Sequence, residues 1–229
     1  MTASPRVQAI TRAIPDDARG LVEVGYDRGL VLDAVRVARP DLRLVGVEIQ
    51  PGAAARVPPS LAGIDLRTGD GLAPVAPGEV DGVIMAGLGA RTMLRVLASR
   101  PEVTARLGWL VLCPSHFEDD LRPGLDALGW HPDHEVLAHE RDRFYEIVRA
   151  APGPDPAAPD AVAARWGPRL LERRDPLLPA WLADLRVRFR AAFAHGLVKA
   201  TVGQKLASID QIEARIVASS GSDPGARQR

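Results

Sequence analysis

The 229-residue chain is short of several things, and each shortage narrows what it can be. It has one cysteine, Cys113, so neither an internal disulfide framework nor a cysteine-ligated zinc cluster can form, and a reducing compartment is the simplest setting. Aromatics supply 4% of the residues against 46% hydrophobic overall, so the core must rest on Ala, Val, Leu and Ile. No apolar run is long enough to span a bilayer, and the first twenty residues hold no uninterrupted apolar stretch of the export type. A soluble, cytoplasmic chain is therefore expected, with no membrane contact and no metal site. Net charge is lacking too, with 29 Lys and Arg against 29 Asp and Glu. That balance argues against a chain that is polyanion-binding along its whole length.

The charge is unevenly spread. From Ala161 onward twelve bases face six acids, a net of +6, while residues 1–160 carry 17 bases and 23 acids, a net of −6. Such asymmetry points to a polyanion contact by the C-terminal region, or else to a solvated helical surface.

Between residues 21 and 150, short β-branched runs alternate with helical patterns. Strands are expected at 21–24, 42–47, 64–67, 80–85 and 109–113, and helices at 30–38, 89–98 and 118–128. An antiparallel hairpin, 134–138 with 144–149, closes the series. The alternation implies parallel crossover units and hence an α/β fold with a mostly parallel sheet. Residues 50–61 are rich in Ala and Pro, so a helix there should be short or broken. The expected domain is 1–150, followed by the Pro-rich linker APGPDPAAPD at 151–160, a helical region at 161–219 and a disordered tail at 220–229. Within the helical region Leu178, Leu182, Leu185, Phe189, Phe193, Leu197, Val202, Leu206, Ile209, Ile212 and Ile216 form a stripe of coiled-coil character. Gly196 and Gly203 interrupt it, so one long helix and a helical hairpin both fit. The stripe also permits pairing of two copies into a homodimer.

Four strand ends carry the chemistry. In Val22-Glu23-Val24-Gly25-Tyr26-Asp27-Arg28-Gly29, glycines at 25 and 29 let a ligand approach the backbone, and Asp27 can accept from an ammonium group. About 20 residues on, Glu48 ends the second strand, where an acid can accept from both hydroxyls of a ribose. Gly69-Asp70-Gly71-Leu72 follows the third strand. Asp70 can bond the exocyclic amine of adenine while Leu72 or Ile49 packs on the ring. Each element alone has an ordinary explanation, the last as an Asx turn. In this order they form a signature for S-adenosylmethionine (SAM). A nicotinamide dinucleotide would require a tight G-x-G-x-x-G, which is missing. The fourth strand ends in Met85-Ala86-Gly87-Leu88-Gly89-Ala90, whose small residues leave room for a flat base beside the donor. The fifth ends in Leu112-Cys113-Pro114-Ser115-His116, expected as the opposite wall, with His116 read as an exposed loop residue rather than a base. The candidate cofactor-binding residues are Gly25, Tyr26, Asp27, Gly29, Glu48, Ile49, Asp70, Gly71, Leu72, Ala86 and Gly87. The candidate acceptor-binding residues are Arg28, Leu88, Gly89, Arg91, Pro114 and Ser115.

This ordered set resembles the TrmK family, the bacterial tRNA methyltransferases that modify N1 of adenine 22, over most of residues 7–190. Residues 22–30 resemble that family's A-D-I-G-S-D-H-A-Y-L, Gly69 to Leu72 its G-D-G-L, and Ala86 to Ala90 its A-G-M-G-G. Leu112 to Ser115, then Leu121-Arg122, resemble L-Q-P-N followed by L-R. Tyr145-Glu146-Ile147 resembles Y-E-I, and Trp166 to Leu171 resembles F-G-P-x-L-L. The chain departs at Tyr26, Arg28, Ala90, Cys113 and Ser115, so its donor half matches the family more closely than its acceptor half. The resemblance implies a class I Rossmann-like SAM-dependent methyltransferase domain with a C-terminal helical, coiled-coil-like extension, acting on adenine N1 of tRNA. Asp27 is then the candidate catalytic group, easing positive charge on the methylated base. Arg28, Arg91 and the basic C-terminal helices would hold tRNA phosphates. A small-molecule methyltransferase, and a non-catalytic SAM- or RNA-binding relative, are the alternatives.

Overall fold

The computed structural model describes residues 3–116, 120–194 and 199–220. The chain divides into two compact units, Met1–Ala158 and Pro159–Arg229.

The first unit opens with helix α1 (Pro5–Arg12), started by proline in the first turn and by Ser4, whose side chain accepts from the Val7 N–H. Then follow β1 (Gly20–Val24), α2 (Leu30–Ala38), β2 (Arg43–Glu48), two 3-10 turns (Ala53–Arg56 and Pro59–Leu61), β3 (Asp65–Thr68), β4 (Gly82–Ala86), α3 (Ala90–Ser99), α4 (Pro101–Thr104), β5 (Trp109–Cys113), α5 (Leu121–Ala127), β6 (Trp130–Glu140) and β7 (Arg143–Pro152). The broken helix expected at 50–61 is the pair of 3-10 turns. Part of the expected helix 118–128 falls on residues 117–119, outside the described residues.

The strands form one sheet in the order β3-β2-β1-β4-β5-β7-β6. The first five are parallel, and β7 runs antiparallel to both β5 and β6. Burial on both faces explains the unbroken apolar runs. Val22, Val24, Val45, Val47, Val83 and Met85 pack with α3 and α5, while Leu21, Leu44, Ile84 and Val111 pack with α1 and α2. On the α5 side Arg122 is buried between two strand carboxylates, 2.7 Å from Glu135 and 2.9 Å from Glu146. Burial pushes the Glu146 carboxyl up, against the pull of Arg122. The sheet reaches Pro152, so the Pro-rich stretch begins inside β7, and the units part between Ala158 and Pro159.

In the second unit α6 (Ala161–Trp166) is capped by Asp160. Gly167 turns the chain into α7 (Pro168–Arg173), and two longer helices follow, α8 (Leu178–Ala194) and α9 (Lys199–Ser220). They form an antiparallel hairpin. Arg186 meets Asp210 at 2.7 Å and Glu213 at 2.6 Å, and Lys205 lies over the Phe189 ring. Of the two arrangements the stripe allows, the structure has the hairpin. Leu178, Leu182, Leu185, Val202, Ile209 and Ile212 bury their side chains within this unit. Gly196 and residues 221–229 of the expected tail lie outside the described residues. Among the described residues no helix is long and apolar enough to cross a membrane.

Candidate active site

The order of the strands reverses at β1, which has β2 on one side and β4 on the other. In open parallel sheets the crevice beyond the carboxyl ends of such strands takes the ligand. Here it is a cavity of about 460 Å³. Its walls come from the loop after β1, the ends of β2 and β4, the loop after β3, one face of α3, and Arg6 of α1.

Gly25 turns the chain off β1 with φ +81°, while its N–H donates to the Val47 carbonyl at 2.7 Å. Only glycine adopts this geometry without strain. Gly87 does the same off β4, with φ +82°, and nothing lies within 4 Å of where a Cβ would stand. The two missing side chains leave the backbone bare toward the cavity.

Glu48 is held by both oxygens. Oε2 accepts from the Asp27 N–H and Oε1 from the Gln50 N–H, each at 3.2 Å. A carboxylate has about four lone-pair sites, so this one is oriented and can still accept from two neighbouring hydroxyls. Asp27 is a non-glycine residue at φ +44°. It projects into solvent between Arg28 and Arg56, each 3.7 Å away. Such a backbone is sparsely populated and persists where its surroundings hold it. Asp70 is exposed, and among the described residues its carboxylate has no partner. Beside the cavity Ile49 is 59% exposed, a bare apolar surface suited to a flat ring.

The cavity therefore gathers Gly25, Tyr26, Asp27, Arg28, Glu48, Ile49, Asp70, Gly71, Ala86, Gly87 and Leu88 from the expected set. It does not gather the others. Gly29 instead caps α2, packed so tightly on Leu61 that a Cβ would come within 2.5 Å of it. Leu72 is fully buried in the core, so the ring surface falls to Ile49. Gly89 precedes α3, and Arg91 points away to Asp120 at 3.3 Å. Pro114 is buried. Ser115 stands next to the cavity rather than in it. Its N–H donates to the Leu88 carbonyl, its own carbonyl accepts from Arg143, and its hydroxyl meets His116 Nδ1 at 2.9 Å.

Sequence reasoning missed Arg6, Glu23, Thr92, Arg95 and Val96, all of which line the cavity. Thr92, Arg95 and Val96 share one face of α3 at i, i+3 and i+4, a spacing legible once the preceding loop is assigned to the site. Glu23 had a signal of another kind, an acid inside a β-branched strand. It is 3% exposed, its Oε2 accepts from the Leu32 N–H at 3.1 Å, and burial pushes its carboxyl up to about 8. It is therefore neutral at pH 7. Burial likewise pushes the Cys113 thiol up to about 12, which removes it as a nucleophile.

Residues 3–148 match the family described as a methyltransferase domain. The chain is 27% identical over 128 residues to the tRNA (adenine(22)-N(1))-methyltransferase of Bacillus subtilis, an alignment covering 54% of each protein. This chain thus spans about half the length of that curated relative. Two solved structures share its fold. One is a Streptococcus pneumoniae protein crystallised with S-adenosyl-L-methionine, with a TM-score of 0.77 at 22% identity over 92% of this chain and 99% of the other. The second is the tRNA methyltransferase TrmK of B. subtilis, with a TM-score of 0.74 at 19% identity over 95% and 98%.

Proposed function

The chain belongs to the methyltransferase-domain family, and from that premise we propose that it methylates N1 of an adenine in tRNA, at position 22, with SAM as donor. One observation carries the reading: Gly25, Glu48 and Asp70, from three different strand ends, converge on one cavity at the point where the strand order reverses.

The residues present fit the donor. The bare turn at Gly25 receives the amino-acid end, the oriented Glu48 carboxylate accepts from the ribose hydroxyls, and Asp70 accepts from the adenine amine. Ile49 covers one face of the ring. Bound there, SAM would supply an electrophilic methyl group that the free lone pair of the acceptor N1 takes in line as the methyl–sulfur bond breaks, so that S-adenosylhomocysteine leaves and the positive charge passes to the base. That nitrogen carries no proton, so no general base is needed, and positioning contributes most of the acceleration. Gly87 and Leu88 leave a slot for the flat acceptor. As positive charge develops on the base, Asp27 at the mouth eases it. Arg28 and Arg95, both exposed at the rim, and Arg190 on α8 hold phosphates through salt-sensitive contacts. A base within folded tRNA must be extruded to reach such a cavity.

A second reading rests on the helical unit. Arg169, Arg186, Arg188 and Arg215 each meet an acid inside it, which lowers the excess positive charge left for a polyanion. A small-molecule acceptor would leave that unit without a substrate role.

The deciding assay incubates the protein with labelled SAM and unmodified tRNA, taken from a strain lacking this gene, and maps methylated nucleosides by mass spectrometry. Labelled 1-methyladenosine at position 22 is expected, and Arg190→Glu should weaken tRNA binding with a shallower salt dependence. Methyl transfer to small molecules alone selects the second reading, and saturable SAM binding without transfer selects a non-catalytic protein. Glu48→Ala should weaken donor binding about 100-fold, the equivalent of losing two hydrogen bonds to a charged acceptor, with the thermal midpoint little changed.

A further inference from the structure

Two loops stand at the slot that Gly87 and Leu88 leave for the flat acceptor, and they are joined to each other. The Gly87 N–H donates to the Cys113 carbonyl and the Ser115 N–H to the Leu88 carbonyl, each at 2.9 Å. On its other side the loop after β5 has less to lean on. The antiparallel ladder between β5 and β7 stops at Leu112 and Val148. Strand β5 runs on to Cys113, paired with Ala86 of β4, and β7 extends back to Arg143, paired with Glu140 of β6. The sheet is therefore split at its carboxyl rim. Carried onward, the register would set Ser115 opposite Tyr145, and among the described residues no backbone hydrogen bond joins them.

A side chain crosses the split. Arg143 donates from a terminal guanidinium nitrogen to the Ser115 carbonyl at 2.9 Å. Its Cζ lies 5.5 Å from the centroid of the Tyr145 ring, two residues along the same strand and hence on the same face. Glu140, directly opposite on β6, offers a carboxylate on that face, yet among the described residues one of its oxygens is buried without a hydrogen-bond partner. Opposite charges so placed ordinarily pair. Here the guanidinium is turned instead to a neutral carbonyl across the split, and the ring restrains its plane. Contacts thus run unbroken from Tyr145 through Arg143 and Ser115 to Leu88, a residue of the cavity wall. Where alignment supplies most of the acceleration, a wall displaced by a small distance is felt in the rate. We propose that Arg143 is a positioning residue that fixes the acceptor wall without touching donor or acceptor, a role that rests on the reading of this cavity as a methyl-transfer site.

Single-turnover methylation of unmodified tRNA at saturating SAM tests this, together with binding and amide hydrogen exchange. Arg143→Ala should slow the transfer step about 10-fold, while the affinities for S-adenosylhomocysteine and for tRNA each change less than about twofold. Exchange should rise in residues 86–90 and 113–116 and stay unchanged at the amino ends of the strands. Arg143→Lys keeps a donor for the carbonyl and should recover much of both the rate and the protection. Lower tRNA affinity with a shallower salt dependence and an unchanged transfer step would make Arg143 a phosphate contact. Weaker binding of S-adenosylhomocysteine would make it a support of the whole cavity, and unchanged rate and exchange would make it a surface charge; each overturns the assignment. Wild-type protein that methylates no tRNA would sink the reading of the site itself, and the assignment with it. Tyr145→Leu frees the guanidinium from its ring and should show the same pattern, smaller in size, where Arg143→Ala does not fold.

Discussion

Charged groups around β3 and the amino ends of β1 and β2 close on one another, whereas at the carboxyl rim, beyond the loose pairing of Asp27 with Arg28 and Arg56, several are left open. In the first region Arg67 meets Glu79 and Asp65, Arg43 meets the same Glu79 at 2.6 Å, and Asp81 accepts from the backbone N–H groups of Arg19 and Gly20. In the second, Arg6 and Asp70 have no polar partner among the described residues, and Glu23 is buried without an ion pair. Glu48 is bonded by backbone N–H groups that orient it without neutralising it. Closed sets satisfy themselves and contribute stability. Open ones carry a desolvation cost that a ligand relieves, which is why a cleft with perturbed, uncompensated groups reads as a functional site.

The sharpest way to break this contrast lies in the most enclosed set. Arg122→Ala leaves Glu135 and Glu146 buried together without their cation, and should lower unfolding free energy by about 3–5 kcal/mol in urea titrations. A loss below about 1 kcal/mol would end the equation of closed charges with stability.

Glu23 should behave in the opposite sense. Its carboxyl is raised from the usual 4.5 to about 8 by burial. Between those values the folded chain keeps the proton and the unfolded chain has lost it, so stability falls as pH rises through that window and levels off above it. The slope is at most about 1.4 kcal/mol per pH unit. Glu23→Gln should flatten it, and thermal midpoints at pH 5.5 and 8 measure the difference. A slope that survives in the variant assigns it to another group.

The smallest effect belongs to the half-buried closed set beside β3. The hydrogen bond from Arg67 holds Glu79 down from 4.5 to about 2. Its contribution is therefore complete above 4.5 and lost as pH falls toward 2. At this half-buried edge of the sheet it should amount to about 1–2 kcal/mol, between a surface pair and an enclosed one. Glu79→Gln should remove this acid-side increment and leave donor affinity unchanged in calorimetry. A change in donor affinity would show that the two regions are coupled.

The expected helix at 30–38 and strand at 109–113 coincide with α2 and β5, because an amphipathic period and a doubly buried β-branched run are local signals. Helix α1 was not anticipated, since eight residues begun by Ser4-Pro5 give a weak local signal, and their burial is decided by packing with β6 and α2. The resemblance placed Leu121-Arg122 and Tyr145-Glu146 in two separate motifs, and only the fold shows them to be one buried ion cluster. Leu72 illustrates the reverse limit. Its neighbours Asp70 and Gly71 reach the cavity while it turns into the core, a difference of one backbone rotation that spacing does not record.

From residue order alone came the α/β class, the ligand-bearing strand ends and the acids Glu48 and Asp70, because turn chemistry and strand periodicity act over a few neighbouring residues. The tertiary structure alone decided that Arg6 joins them, that Gly29, Leu72, Gly89, Arg91, Pro114 and Ser115 do not line the cavity, and that α8 and α9 fold back on each other. These are long-range outcomes, settled by which apolar faces find one another and by which charges are left without a partner once they have.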